Sequence, residues 1–356
     1  MDSKGFLKIL TKRKRDYLEK TKNFNKLPTI LFCKNEELSE FENLQKKTDI
    51  KFDNLYIDLS PADLIRIIKK NGSSNNFFIS NGLISDDLYE ELKLKKYCKA
   101  NNLYIGPTKN SYVDLYDRRF NINQNANNIA AAINLLKDKK SRNVLLNILT
   151  RLCLQYQFHY YYETEDFPQY FNTRFIFNNN EVYLDAGVCD GENVKQFVGI
   201  VNGNYKYIYG IEADKRNYNT CIDNLKDITN IKLLNCGLYD RCSEVSFVST
   251  EKSGKIGNAH IAPNGDTIVK TITGDSLPIK PTFIKMDIEG SEKEALLGLQ
   301  KTIKLYKPKL AICIYHWQAD FWEIPLLINR INPNYKIEIR NHVKLHCLIE
   351  TVCYAY

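Results

Sequence analysis

The stretch from Glu181 to Phe197 constrains this chain more than any other. The apolar run Glu181-Val-Tyr-Leu leads into Asp185-Ala-Gly-Val-Cys-Asp-Gly191 and then into Glu192-Asn-Val-Lys-Gln-Phe, which has the spacing of a helix. A strand that feeds a tight turn and a helix N-terminus is a nucleotide-site arrangement, with Gly187 allowing the turn and Gly191 the close approach of helix and ligand. Counted from Gly187, the dinucleotide fingerprint requires glycines where this chain has Cys189 and Glu192. Asp185 at the strand end would repel a pyrophosphate, yet it suits a ligand that carries an ammonium and a sulfonium, as S-adenosylmethionine does. The turn predicts that cofactor, and with it methyl transfer.

Tyr207-Ile-Tyr-Gly-Ile-Glu212 is a second apolar run ending in a carboxylate, 21 residues after Gly191. That is the spacing of the second strand in a doubly wound sheet, whose terminal acid accepts the ribose hydroxyls. A third run, Ile231-Lys-Leu-Leu-Asn235, follows. The expected cofactor contacts are Asp185, Gly187, Gly191, Glu212, Ala213 after the second strand, Cys236 and Gly237 after the third, and Asp287.

The rest of the chain sets the frame. Its 356 residues, 44% of them hydrophobic, allow two domains with separate cores. The net charge of +8 is spread out except at Lys12-Arg-Lys-Arg15, read as the solvated end of a helix. Ten cysteines without a Cys-x-x-Cys pair indicate reduced thiols and argue against a structural zinc site. Cys189 reads as a small filler in the cofactor loop, not a nucleophile. No apolar run reaches the ~18 residues of a membrane helix and no signal peptide is visible, so a cytoplasmic location without a membrane span is expected.

Strand-like and helix-like segments alternate through residues 1–120, from Thr29-Ile-Leu-Phe-Cys33 to Leu103-Tyr-Ile105, with a helix expected over 86–94. This predicts a small βαβ, Rossmann-like domain. Its first turn, Cys33-Lys-Asn-Glu-Glu-Leu38, has no glycine, so a nucleotide site there is not expected. Residues 121–165 form a helical connector by periodicity, with Ile129, Ile133, Leu136, Leu145, Ile148 and Leu152 on recurring faces. The cluster His159-Tyr-Tyr-Tyr162 reads as packing between domains in preference to a sugar pocket. Residues 166–356 read as an α/β doubly wound sheet of the class I methyltransferase kind. A polar excursion over Cys242–Pro281 adds antiparallel strands, and Tyr335–Arg340 with Leu348–Tyr354 is expected to close the sheet as an antiparallel hairpin.

A sulfonium needs an acceptor aligned behind its methyl group, and a hydroxyl acceptor also needs somewhere to send its proton. The crevice of a doubly wound sheet lies at the switch in strand order, which puts Asp287 and Glu289 at its mouth. His316, after the run ending at Tyr315, is the first candidate for general base because the ordinary imidazole pKa lies near neutrality. Glu289 is the next, and Asp287 orients the acceptor or binds a metal. Ser291 and Glu292 read as helix caps.

Asp185-Ala-Gly, Glu212, Phe283-Ile-Lys-Met-Asp-Ile-Glu-Gly-Ser-Glu292 and Ala295-Leu-Leu-Gly298 together resemble the FkbM family of S-adenosylmethionine-dependent methyltransferases over residues 165 to 356. Gln169-Tyr-Phe171, Ile314-Tyr-His-Trp317, Trp322-Glu-Ile-Pro325 and Glu350-Thr-Val-Cys-Tyr-Ala355 are similar to a bacterial subgroup. The resemblance implies O-methylation of a sugar or surface-glycan precursor. A divalent metal and a homo-oligomer stay open. A methyltransferase acting on RNA or another small molecule uses the same cofactor site, but no nucleic-acid partner is expected without an RNA-binding motif. A non-catalytic cofactor-binding scaffold would follow if the excursion blocked the cleft.

Overall fold

The computed structural model describes residues 1–22, 28–35, 38–47, 51–71, 75–80, 103–106, 122–152, 165, 167–253, 259–343 and 349–356. The chain divides into two compact units, one of residues 1–130, 143–164 and 341–349, the other of residues 131–142, 165–340 and 350–356. None of the described helices is long and apolar enough to cross a membrane.

The first unit contains α1 (Ser3–Lys22), β1 (Thr29–Cys33), α2 (Leu38–Lys47), β2 (Asn54–Ile57), α3 (Pro61–Asn71), β3 (Asn76–Ser80) and β4 (Leu103–Gly106). The strands lie in the order β2-β1-β3-β4 and every adjacent pair is parallel. Apolar throughout, β1 is buried along its whole length, as an inner parallel strand requires, while β2 lies exposed at the edge. Phe32 stacks on Tyr56 at 5.5 Å and on Phe77 at 6.3 Å, one ring from each neighbouring strand. Ser60 and Asp63 bond reciprocally ahead of α3, and Pro61 takes the first helical position, where its missing N–H costs nothing.

Within α1, Arg13 donates to Asn147 Oδ1 at 2.7 Å and to Asn143 Oδ1 at 3.4 Å, so this charge of the basic run is engaged inside the unit. The glycine-free turn is described as far as Asn35, whose N–H goes to Asp58 Oδ1 at 3.1 Å. Glu36, Glu37, the helix expected over 86–94 and the His159–Tyr162 cluster lie outside the described residues.

The helical stretch expected from residue 121 is divided into α4 (Ala126–Leu135) and α5 (Lys139–Leu152). Asp138 makes the division, because its carboxylate accepts the Ser141 N–H at 2.8 Å and so starts a new helix. Ile129, Ile133, Leu136, Leu145 and Ile148 are buried as their spacing predicts.

In the second unit come β5 (Val182–Ala186), α6 (Glu192–Ile200), β6 (Tyr207–Ile211), α7 (Lys215–Asn224) and β7 (Ile231–Leu234). They are followed by β8 (Gly237–Leu238), β9 (Ser243–Val248), α8 (Thr250–Ser253), β10 (His260–Ile261), β11 (Thr267–Ile272) and β12 (Phe283–Met286). The unit ends with α9 (Glu292–Leu297), α10 (Gln300–Tyr306), β13 (Lys309–Cys313), α11 (Asp320–Ile331), β14 (Ile337–Asn341) and β15 (Thr351–Ala355). Seven strands form one mixed sheet in the order β14-β15-β13-β12-β5-β6-β7. The β12, β5, β6 and β7 pairs are parallel, whereas β15 runs antiparallel to β13. Lys336 and Tyr356 exchange both backbone hydrogen bonds, the mark of an antiparallel pair.

The chain winds outward from β5 in one direction and from β12 in the other, so the switch in strand order falls between these two strands. Beneath it lies an aromatic core. Tyr183 and Phe283, paired in register, stack at 4.8 Å, and Phe171, Phe175, Phe177 and Phe197 meet Phe283 at 5.3 to 6.2 Å. Aromatic contacts of this kind contribute about 0.5–1.5 kcal/mol each beyond burial. The expected excursion is a four-stranded sheet in the order β10-β9-β11-β8, antiparallel where β9 meets β11.

Candidate functional site

The loops leaving β5 and β12 meet at the switch. A Cβ on Gly187, whose φ is +80°, would lie 1.7 Å from the Asp287 carbonyl oxygen, so only glycine lets the two loops pack. The requirement comes from this backbone contact. Gly191, at φ +89°, abuts the Leu225 side chain, again a packing constraint.

These loops open onto a cleft of about 160 Å³, lined by Gly187, Glu212, Ala213, Cys236, Gly237 and Asp287, with Glu289 beside them. Phe247, Ala259 and Ile261 of the excursion form part of its wall. Asp185 and Gly191 do not line it, which corrects the expectation that both face a ligand. Asp185 sits inside the sheet in register with Lys285, and the two charges are 3.1 Å apart with side chains 0% and 1% exposed. The ammonium also donates to Gly187 O at 2.6 Å. Burial works against its charge, but Asp185 and Asp287 raise its pKa and keep it protonated.

Glu212 accepts N–H groups from Cys189 and Asp214, both at 2.9 Å, which fixes its carboxylate at the end of β6. Burial pushes its pKa up while those two N–H groups pull it down. Cys189 has φ +55°, and burial with Glu212 nearby pushes its thiol up to about 11, so it fills space and does not react as a thiolate.

Asp287, Glu289 and His316 converge, each offering one atom within 4.8 Å of the others. His316 Nε2 lies 3.3 Å from Asp287 Oδ1 and 3.4 Å from Glu289 Oε2, and Nδ1 lies 3.0 Å from Glu292 Oε1. Burial lowers the imidazole pKa, but Glu292, Glu289 and Asp287 outweigh it and raise it to about 10. The premise that His316 titrates near neutrality is therefore corrected. Three surrounding carboxylates favour the protonated ring, the form that has no lone pair to take a proton. Burial pushes Glu289 up to about 8, and Asp287 adds to this while His316 opposes it. Burial would raise Asp287 as well, yet His316, Lys285 and Tyr170 hold it below its ordinary value.

The sequence reading missed the groups that hold this trio. Tyr170, at φ +72°, donates its hydroxyl to Asp287 Oδ2 at 2.7 Å. Glu292 is fully buried and accepts the N–H groups of Ile288 and Gly290 at 2.8 and 3.1 Å. It fastens its own loop, where a helix cap was expected, and Ser291 makes no side-chain cap. Glu289 and Gly290 both have positive φ (+55° and +97°), and this turn brings the N–H groups of Ile288 and Gly290 onto Glu292.

The strand order and a site at its switch define a class I methyltransferase fold. Residues 185–343 match the family model described as the methyltransferase FkbM domain. The crystal structure of methyltransferase FkbM from Methylobacillus flagellatus is similar over 93% of this chain and 90% of its own, with TM-score 0.59 and 22% identity. Aeropyrum pernix fibrillarin, with natively bound S-adenosyl-L-methionine, aligns over 50% of this chain and 68% of its own at TM-score 0.31 and 12% identity. An rRNA methylase from Streptococcus thermophilus aligns over 50% and 87% at TM-score 0.31 and 13% identity. A search of curated proteins finds no match.

Proposed function

We propose that this methyltransferase moves the methyl group of S-adenosylmethionine to a hydroxyl of a sugar or glycan precursor. The observation that carries the reading is the acidic cleft at the strand switch, with Glu212 on one side and Asp287 and Glu289 on the other. Its lysine, Lys285, is already neutralised by Asp185. Such a cleft favours a cationic ligand over a pyrophosphate. Glu212 would accept the ribose hydroxyls, Ala213, Cys236 and Gly237 would border the base, and Asp287 would face the amino acid end.

When bound, the sulfonium supplies an electrophilic methyl group and leaves as a neutral thioether. The acceptor oxygen forms the new C–O bond as the C–S bond breaks, and the hydroxyl proton is lost to solvent beside Asp287 and Glu289, whose negative charge favours its departure. Alignment by the loop supplies most of the acceleration. Trp317 supports a sugar as acceptor. It is 55% exposed, directly after His316, and its ring is fixed by the Nε1–H bond to Gly290 O at 2.8 Å. A fixed, exposed ring beside a polar cluster suits the apolar face of a sugar. The described cysteines are all free thiols, in keeping with work in the cytoplasm.

The test is calorimetry of the full chain with S-adenosylmethionine and its demethylated product, then transfer of labelled methyl to a panel of sugar nucleotides and glycan fragments. Saturable cofactor binding with label in a sugar is expected. A folded chain that gives no heat with either cofactor form refutes the reading, and label entering only RNA moves the acceptor to another class.

A further inference from the structure

We propose that Asp287, Glu289 and His316 hold a divalent cation of the magnesium or manganese type, which grips two neighbouring oxygens of the acceptor. The acceptor's part in this rests on the methyltransferase reading; the cation site does not.

The geometry is that of a ligand set. Two donors at right angles, each about 2.2 Å from a cation, stand ~3.1 Å apart. Asp287 Oδ1 and Glu289 Oε2 lie 3.3 and 3.4 Å from His316 Nε2. The imidazole is 9% exposed, yet Nε2 has no aligned hydrogen-bond partner, so a buried polar atom points into the cluster with its bonding capacity unused.

The surroundings support the same assignment. On the other side of the ring Glu292 Oε1 lies 3.0 Å from Nδ1, an acceptor within reach of the N–H that a metal-bound imidazole would donate, although the two are not aligned as a hydrogen bond here. Tyr170 engages Asp287 Oδ2, leaving Oδ1 turned to His316. Glu292 gives its oxygens to two backbone N–H groups and lies on the Nδ1 side of the ring, outside the ligand set. Two carboxylates balance a charge of +2, and the imidazole joins them once the cation has displaced its Nε2 proton. Two oxygens and one nitrogen suit manganese or magnesium better than zinc, which favours nitrogen and sulfur donors.

Three protein ligands leave open positions in an octahedral shell. Vicinal hydroxyls of a sugar fill two of them in chelate fashion. The cation then lowers the pKa of the bound hydroxyl, whose proton is lost to solvent as the oxygen attacks the methyl carbon.

The test uses the full chain and Mn2+ alone, followed by electron paramagnetic resonance, with cofactor binding measured separately. One Mn2+ per chain is expected, with a nitrogen coupling from a histidine in the pulsed spectrum. Glu289→Gln and His316→Gln should weaken it by about 10- to 100-fold. The nitrogen coupling is read on the unaltered protein and does not depend on either variant folding. No saturable Mn2+, or Mn2+ bound without nitrogen coupling and unaffected by both variants, overturns the assignment. Should methyl transfer then persist in chelator, the methyltransferase reading stands without the cation; Mn2+ bound as expected by a chain that binds no cofactor would leave the site standing and remove its function.

Discussion

Asp185 and Lys285 face each other across adjacent strands at 3.1 Å, deep enough that neither touches solvent. Removing one partner leaves an uncompensated buried charge. Lys285→Met should cost about 3–5 kcal/mol, and the double variant Asp185→Leu with Lys285→Met should recover much of it. Urea unfolding across the double-mutant cycle measures the coupling, and strictly additive losses would show that the pair does not act as one.

Glu212 is fixed before any ligand arrives, so its loss should register mainly in cofactor affinity. Glu212→Ala is expected to weaken S-adenosylmethionine by about 1.5–3 kcal/mol, the range for a hydrogen bond to a charged group. Calorimetry reads this directly, and unchanged affinity would move the ribose elsewhere.

Gly187→Ala forces a Cβ into the Asp287 carbonyl at a positive φ, whereas a Cβ at Gly290 meets the Trp317 side chain. The first should separate the two loops and abolish cofactor binding. The second should displace Trp317, raising acceptor KM with cofactor affinity largely kept. Equal effects of the two substitutions on cofactor binding would contradict this division.

Asp138 starts α5 and pairs with Arg340 at 3.2 Å. Burial raises its pKa, but Ser141 and Arg340 outweigh that and leave it below the ordinary value of 3.8. A carboxylate depressed in the folded state stabilises above its unfolded pKa, and that contribution disappears as pH falls through the folded one. Asp138→Ala should cost about 1 kcal/mol at pH 7. The gap from the parent protein should close only below about pH 4. A melting difference that stays constant down to pH 2 would argue against this role.

The strand runs and their order were readable because apolar runs ending in Asp185, Glu212 and Asp287 recur at the spacing of a doubly wound sheet. The destination of each carboxylate was not, since Asp185 lies within a strand and the strand opposite supplies a lysine exactly in register. Sequence spacing gives the end of a strand to within a residue or two, while a single step decides whether a side chain meets the ligand or its neighbour. Tyr170 was equally hidden: 117 residues separate it from Asp287. His316 was found, but its protonation depends on three carboxylates gathered by folding.

β15 follows β14 in sequence yet lies inside it, between β13 and β14. β14 therefore joins the sheet only through β15, and the two can add to the β13 edge as one antiparallel hairpin. β15 borders β13, whose exit carries His316, and Glu350 just before β15 accepts a bond from Gln169, beside Tyr170. Breaking the β13–β15 pairing would thus detach two strands at once and release the Gln169–Glu350 bond beside Tyr170, so the outermost strand and the acidic cluster share one anchor.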